Sequence, residues 1–466
     1  MSDVTDSRIS AAEEYIEGRF VDLGSPGLAA GILREGELVW ARGFGVADLA
    51  AGNRPNEKTI TRVASITKTF TATAIMQLRD RGLLGLDDPL TAHLPEFCRV
   101  LETGGRVADV TLRRMLTHYS GLSTETALLS WGAEEFPGLA EVLGALPQTE
   151  VVIAADSQWK YSNLAFGLLG EVVSRLSGVD YASYVRENVI EPLGMESTGF
   201  EREDLPAEHL YTGYDAVILG DPSRSELRVA GYRHLNGIVA AGQLHSSVKD
   251  LARWISFQCG GDGDEAHENV VLDGRTLAEM HRPQYAASDW SSGQCLGWAA
   301  ERVGERVYHG HGGGIHGFAS HISFNIPART GVVILANVWP NVAAYTLGKE
   351  VMEVLLTGSP PPEAAAAETN LPAAEPAPGH LAPYTGYFVA YPGIPAAVEF
   401  RGGELWITAA AGEGLALHAP SPMRETGEQS GIFILRAGRG AGERAVFDPG
   451  RQSFTLGGWL YRRVST

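Results

Sequence analysis

Ser65-Ile66-Thr67-Lys68 places a hydroxyl and an amine three residues apart. On a helix that spacing brings the two side chains together, one turn apart. A serine alcohol is a weak nucleophile at neutral pH. It needs a neighbour to take its proton and a positive field for the charge that develops. A partly buried lysine at a helix N-terminus contributes to both, and the free N–H groups of the first turn surround the serine. The residues that follow supply the helix, because Phe70, Ala74 and Leu78 recur every four positions with Ile75 beside them, the pattern of one buried face. The four residues alone do not decide the matter: Ser-x-x-Lys arises by chance, and a serine opening a helix is ordinarily an N-cap.

The elements that must position this pair can be read around it. Ser7 to Phe20 has amphipathic helical spacing, and Gly27 to Ala47 alternates and turns at Arg34-Glu35-Gly36-Glu37 as an antiparallel hairpin. From Ser65 to about Leu193 the signals are mostly helical: Thr111 to Leu116, Ala165 to Leu176, and Tyr181 to Val189. Ser247 caps a further helix to Ile255. Strand composition returns at Arg306 to His309, Phe318 to Phe324 and Gly331 to Asn337, and Ala343 to Leu356 closes as a helix. Strands early and late with helices between predict an α/β (α+β) domain. Its terminal segments share one antiparallel sheet flanked by helices, and an all-helical region carries Ser65. The site is expected at their junction.

The first domain is expected over residues 1–358. Residues 359–379, rich in Pro, Ala and Glu, read as an extended linker. Residues 380–466 then hold short strands between Gly-rich turns: Tyr384 to Phe388, Ala397 to Phe400, Glu404 to Thr408, Leu415 to Leu417, Ile432 to Leu435, Ala445 to Phe447 and Ser453 to Leu456. They predict a small antiparallel β-barrel or sandwich.

Composition excludes several classes. Across 466 residues the net charge is −19, with no Lys/Arg cluster to offset it, so a nucleic-acid partner is not expected. No apolar run approaches a membrane span. The first residues lack a basic stretch followed by an apolar one, and Cys98, Cys259 and Cys295 are odd in number and widely spaced. Both features lead to the expectation of reduced thiols in a cytoplasmic protein.

Two further motifs join the first: Tyr161-Ser162-Asn163, and His311-Gly312-Gly313 within Gly310 to Phe318 at a strand edge. In order and approximate spacing, Ser65-x-x-Lys68, Tyr161-x-Asn163 and His311-x-Gly313 resemble the three motifs of the penicillin-recognising serine hydrolases. Gly85-Leu86-Asp87-Asp88-Pro89-Leu90, Leu116-Thr117-His118-Tyr119-Ser120-Gly121-Leu122, Glu191-Pro192-Leu193-Gly194-Met195 and Ala241 to Ser247 extend the likeness to the class C β-lactamase-like branch. That branch includes D-aminopeptidases, esterases and acyltransferases. The likeness covers about Ser7 to Leu356, and the tail resembles the lipocalin-like barrel appended to many of these hydrolases.

The resemblance implies a serine β-lactamase/DD-peptidase-like fold and an acyl-enzyme on Ser65. Lys68 would be the base or proton relay, and Tyr161 the second proton-transfer group, which requires the Lys68 cation to favour its phenolate or to share its proton. Asn163 would hold Lys68 and a substrate amide or carbonyl. The N–H groups of Ser65 and Gly314 would form the oxyanion hole, with Gly313 and Gly314 lining the substrate. No metal or organic cofactor is implied, and the partner is a small molecule or short peptide. Where many relatives carry Lys-Thr-Gly, His311 and Gly312 stand. A neutral imidazole anchors a carboxylate weakly, which speaks against penicillin hydrolysis and for an uncharged ester, amide or D-configured peptide. Acyl transfer to an amine or alcohol is the alternative, and a non-catalytic binding module the remoter one.

Other residues read more plainly. Tyr161 alone could be a core aromatic and Asn163 a helix cap. His309, His316 and His321 lack a Cys or carboxylate in sequence to complete a zinc set with His311. His118 and Tyr119 are expected to buttress the helices, and Asp87-Asp88 to form a turn. Trp159 and Trp290 are expected to pack in the core or line the cleft, and the barrel is given no chemistry.

Overall fold

The computed structural model describes residues 2–464 apart from 219–224, 261–270, 341–342, 362–370, 410–417 and 428–429. Its centre is an eight-stranded antiparallel sheet. The order is Glu37–Gly45, Gly27–Arg34, Thr330–Ala336, Phe318–Asn325, Arg306–Ile315, Ala299–Val303, Ser292–Gln294 and Tyr285–Ala286. The early hairpin meets the late strands directly, in a register that runs from Leu28 opposite Ala336 to Leu33 opposite Gly331. Leu28 to Leu33 is a continuous apolar run because both faces of the sheet are covered. Leu28, Ala30 and Ile32 pack with Ala12 and Ile16 of the helix Ser2–Phe20 and with Leu347 and Val351 of Ala343–Thr357. Ala29 and Leu33 face the opposite core, with Phe70 and Trp254.

The helix after Ser65 runs Thr67–Asp80 and differs from expectation in one respect. Every residue from Thr67 to Leu78 is buried, so it is the central post of the helical region and not an amphipathic surface helix. Its threonines make this possible, since Thr69 and Thr73 return their hydroxyls to carbonyl oxygens three and four residues back. Asn163–Ser177 packs beside it, capped by Ser162 Oγ accepting from Ala165 N at 2.9 Å. The predicted helix from Tyr181 is α-helical only to Val185 and continues as a π-turn over Arg186–Ile190. Among the described residues no helix is long and apolar enough to cross a membrane.

The C-terminal region is a closed eight-stranded antiparallel barrel, in which Ile394–Arg401 pairs with both Gly386–Ala390 and Glu404–Ala409. Phe388, Phe433, Phe447, Phe454 and Tyr461 fill it. Leu415 to Leu417 lie outside the described residues. Two strands escaped the sequence reading. His418–Glu425 carries Pro420 and Pro422, which argue against a strand, and Trp459–Arg463 is short and ends in two arginines. Ala374–Glu375, inside the stretch read as a linker, pairs with Phe400 and Arg401 at the barrel edge.

The barrel is docked on the preceding region through a buried polar joint. Lys160 Nζ donates to Glu443 Oε1 at 2.7 Å and to Thr124 Oγ1 at 2.6 Å, and Thr124 N donates to the same carboxylate oxygen at 2.7 Å. Trp131 stacks on Trp459 across the joint with centroids 5.6 Å apart. Glu443→Ala leaves the fully buried Lys160 without its counter-charge. It is expected to lower stability by about 3–5 kcal/mol in chemical denaturation, and a loss below about 1 kcal/mol would contradict this account of the joint.

Candidate active site

Ser65 lies not in the helix but in the single 3-10 turn Ala64–Ile66 that precedes it. Ala64 adopts a left-handed backbone (φ 45°), a strained conformation for a residue with a Cβ. The turn is held from outside: Val63 N donates to Leu244 O at 2.9 Å, Ser320 Oγ to Val63 O at 2.9 Å, and Thr67 Oγ1 to Ala64 O at 2.6 Å. These bonds hold the strained turn that presents the serine hydroxyl to the cleft.

Two of the predicted side chains converge on Ser65, and a third, Asn163, holds one of them. The Tyr161 hydroxyl donates to Ser65 Oγ at 2.8 Å, and Lys68 Nζ lies 3.1 Å from the same oxygen. Lys68 is fully buried. Its other contacts are to Asn163 Oδ1 at 2.8 Å and the Ala241 carbonyl oxygen at 2.6 Å. Both of those atoms can only accept. A neutral amine therefore spends its two N–H groups on them and turns its lone pair to Ser65, the one contact able to donate a proton. Burial, with a further contribution from the Arg439 charge and against the pull of Glu125, holds the Lys68 amine well below its ordinary range, which favours this state. Burial also pushes Tyr161 up to about 12, Arg439 opposing, so the phenolate, one of the two states open to it in the sequence, is disfavoured and the hydroxyl stays protonated.

His311 lies inside the strand Arg306–Ile315. The neighbouring strand Ala299–Val303 pairs with it only as far as Gly310, which leaves the edge from His311 onward open toward Ser65. Gly313 is needed for close approach, since a Cβ there would lie 2.2 Å from Val63 O. At Gly314 a Cβ would fall 2.0 Å from the Trp339 ring. Gly314 lines a cavity of ≈ 220 Å³ together with Ser65, Tyr161, Asn163 and His311. Burial, and the nearby Lys68, bring His311 down to about 4, so its imidazole is neutral at physiological pH.

Further residues take part that sequence reasoning passed over or placed elsewhere. Glu125 Oε1 accepts from Asn163 Nδ2 at 2.6 Å and from Trp131 Nε1 at 3.2 Å, which fixes the Asn163 amide with its oxygen toward Lys68. No local signal in Ser123-Thr124-Glu125 marks it. His118, read as a helix buttress, packs on the Tyr161 ring at 4.3 Å, and its Nδ1 accepts from Ser162 N at 3.1 Å. Trp159 lines the cavity, whereas Trp290 packs, partly buried, against the core. Asp88 closes a turn by accepting from Gly85 N at 2.7 Å, and Asp87 pairs with Arg113. The barrel also reaches the site, contrary to expectation: Arg439 and Trp459 line the cavity, and the Arg439 guanidinium stands 4.2 Å over the Tyr161 ring.

The family model described as β-lactamase matches residues 12–355. Protein flp of Staphylococcus aureus is 24% identical over 319 residues, covering 67% of this chain and 59% of that protein, so the chain spans about three fifths of this curated relative. Among solved structures, the octameric penicillin-binding protein homologue from Pyrococcus abyssi is similar with a TM-score of 0.63 and 21% identity, over 97% of this chain and 99% of that one. A D-stereospecific amidohydrolase from Streptomyces sp. gives 0.61 and 23%, over 75% and 99%. At these identities the structural likeness shows the fold.

The buried Glu125 yields a pH-dependent prediction. Burial, against the hydrogen bond from Asn163, raises its carboxyl from an ordinary 4.5 to about 7. Between those values the folded chain holds a proton that the unfolded chain releases, so this group's contribution to stability falls as pH rises through that window. Glu125→Gln keeps an acceptor oxygen and removes the equilibrium. Its stability relative to the parent chain is expected to rise by about 1–3 kcal/mol between pH 4 and pH 8. Parallel stability curves for the two proteins would contradict it.

Proposed function

Because the chain belongs to the β-lactamase family, we propose that it is a serine hydrolase that forms an acyl-enzyme on Ser65 from an ester, amide or D-configured peptide. The observation that carries this reading is Ser65 Oγ held between the Tyr161 hydroxyl at 2.8 Å and the Lys68 amine at 3.1 Å. Neutral Lys68 takes the serine proton as Oγ attacks the carbonyl carbon. The N–H groups of Ser65 and Gly314 receive the carbonyl oxygen as it becomes an oxyanion. Tyr161 then gives its hydroxyl proton to the departing heteroatom and is reprotonated from the Lys68 ammonium. Water, in the reverse sense, releases the acid and restores the site. Neutral Tyr161 is suited to this shuttle, since a phenol serves as the acid without first being a phenolate.

His311 takes the place of the motif lysine and carries no charge near neutrality, which supports a substrate not anchored through that position. Free Cys98, Cys259 and Cys295 accord with a reducing cytoplasm. We propose a first domain over residues 1–358, a linker over 359–379 and a barrel domain over 380–466, with the Ala374–Glu375 strand as the linker's attachment to the barrel.

Intact-protein mass spectrometry after mixing with a panel of activated aryl esters and D-amino acid amides tests the reading. The expected result is a mass increment of one acyl group, absent in Ser65→Ala. Tyr161→Phe keeps the ring but not the proton and is expected to slow turnover by about 10²–10⁴. Decay of the adduct to free acid, with amines present, marks a hydrolase, and amide product marks the acyltransferase alternative. No adduct with any member, or an adduct that survives in Ser65→Ala, would overturn the proposal.

A further inference from the structure

Between the barrel strands Ile432–Leu435 and Arg444–Asp448, the loop 436–443 leaves its own sheet and enters the cleft. Its path is fixed on several sides. Gly438 and Gly442 take left-handed backbone angles of 69° and 78°, and a Cβ at Gly442 would lie 2.6 Å from the Val152 carbonyl oxygen. Lys160, through the same ammonium that binds Glu443, also donates to the Arg439 carbonyl oxygen at 2.9 Å. The side chain delivered by this loop is Arg439, and it is the only permanently charged one among the described residues that line the cavity.

The surroundings of Arg439 give that charge a direction. Its guanidinium lies against the face of Tyr161, and among the described residues no carboxylate stands within ion-pair distance of it, the buried Glu125 acting on it only through space, whereas Lys160 and Arg444 are each matched to a glutamate, Glu443 and Glu150. A guanidinium stacked on a ring keeps its N–H edges free, and that planar fork matches a carboxylate. Tyr161 is the group that exchanges a proton with the departing or arriving heteroatom, so a cation on its ring addresses that side of the scissile bond. Neutral His311 offers no competing charge at the other motif.

We infer that Arg439 is a specificity-determining residue, contributed by the barrel, that binds a carboxylate on the leaving alcohol or amine, or on the acceptor that replaces it. The inference rests on the acyl-enzyme reading above. It also changes one expectation drawn from the sequence, that loss of the motif lysine means an uncharged substrate. The cation is supplied from a second domain instead.

Two acetate esters with matched acyl groups test it: 4-nitrophenyl acetate, and the same ester with a carboxylate on the ring beside the nitro group. The readout is the ratio of their kcat/KM values. The parent chain is expected to prefer the carboxylate ester by at least about tenfold. The preference should decline from Arg439 through Arg439→Lys to Arg439→Met and reverse in Arg439→Glu. It should also weaken with rising ionic strength, since the cation is partly open to solvent. Four equal ratios would overturn the inference, as would equal slowing of both esters by every variant, which would mean that Arg439 acts only by tuning Tyr161. Labelling of Ser65 by the uncarboxylated ester is scored separately. If that labelling occurs while the ratio never moves, the acyl-enzyme stands and the Arg439 inference falls. If neither ester labels the serine, both fall together.

Discussion

An amine with no access to water is the constraint on which the site depends. Lys68 sits at 0% exposure on a helix buried along its whole apolar and threonine-rich length. Burying an ammonium is costly, and the fold meets that cost by offering two carbonyl acceptors and one hydroxyl. Those partners suit a neutral amine poised to take a proton. The Ala241 carbonyl, the Asn163 amide and the strained Ala64 turn are all parts of this one arrangement, because each sets where the lone pair of Lys68 meets the oxygen of Ser65.

A second layer of buried charge surrounds the first. Glu125 orients Asn163 and is itself held by Trp131, which stacks on Trp459 of the barrel. Lys160 sits one residue from Tyr161 in sequence and binds Glu443, four residues from Arg439. The joint between the two regions is thus continuous with the hydrogen-bond network around Ser65. Docking of the barrel places the Arg439 guanidinium on the Tyr161 ring and brings Arg439 and Trp459 to the cavity wall.

Much of this was legible in the sequence, and what was not had physical reasons. Ser65, Lys68, Tyr161, Asn163 and His311 could be picked out because their three short motifs, in order and spacing, resemble those of a known family, and the structure gathers them around Ser65 and its cleft. The early hairpin announced itself by alternation about a turn and the late strands by β-type composition, whereas cover on both faces of Leu28 to Leu33 emerges only in the fold. The full burial of the Ser65 helix was not legible, since threonine reads as half polar until its hydroxyl is seen to return to the backbone. Glu125 and Arg439 were invisible for another reason. Their roles are set by partners tens to hundreds of residues away, and Gly438-Arg439-Gly440 reads locally as an ordinary turn. Of the two states open to Tyr161 in the sequence, a phenolate or a proton shared with Lys68, burial disfavours the phenolate, and burial is what a nearby lysine in the sequence does not reveal.

Direct observation of the Lys68 side-chain nitrogen tests the central claim. The chain has five lysines, Lys58, Lys68, Lys160, Lys249 and Lys349, so ¹⁵N-lysine labelling gives a spectrum simple enough to assign with single Lys→Arg variants. The account predicts that, as pH is raised, the Lys68 Nζ resonance takes the position of a neutral amine well below the ordinary lysine range. A Lys68 resonance that stays an ammonium to pH 10 would contradict it, and would return the role of base to Tyr161.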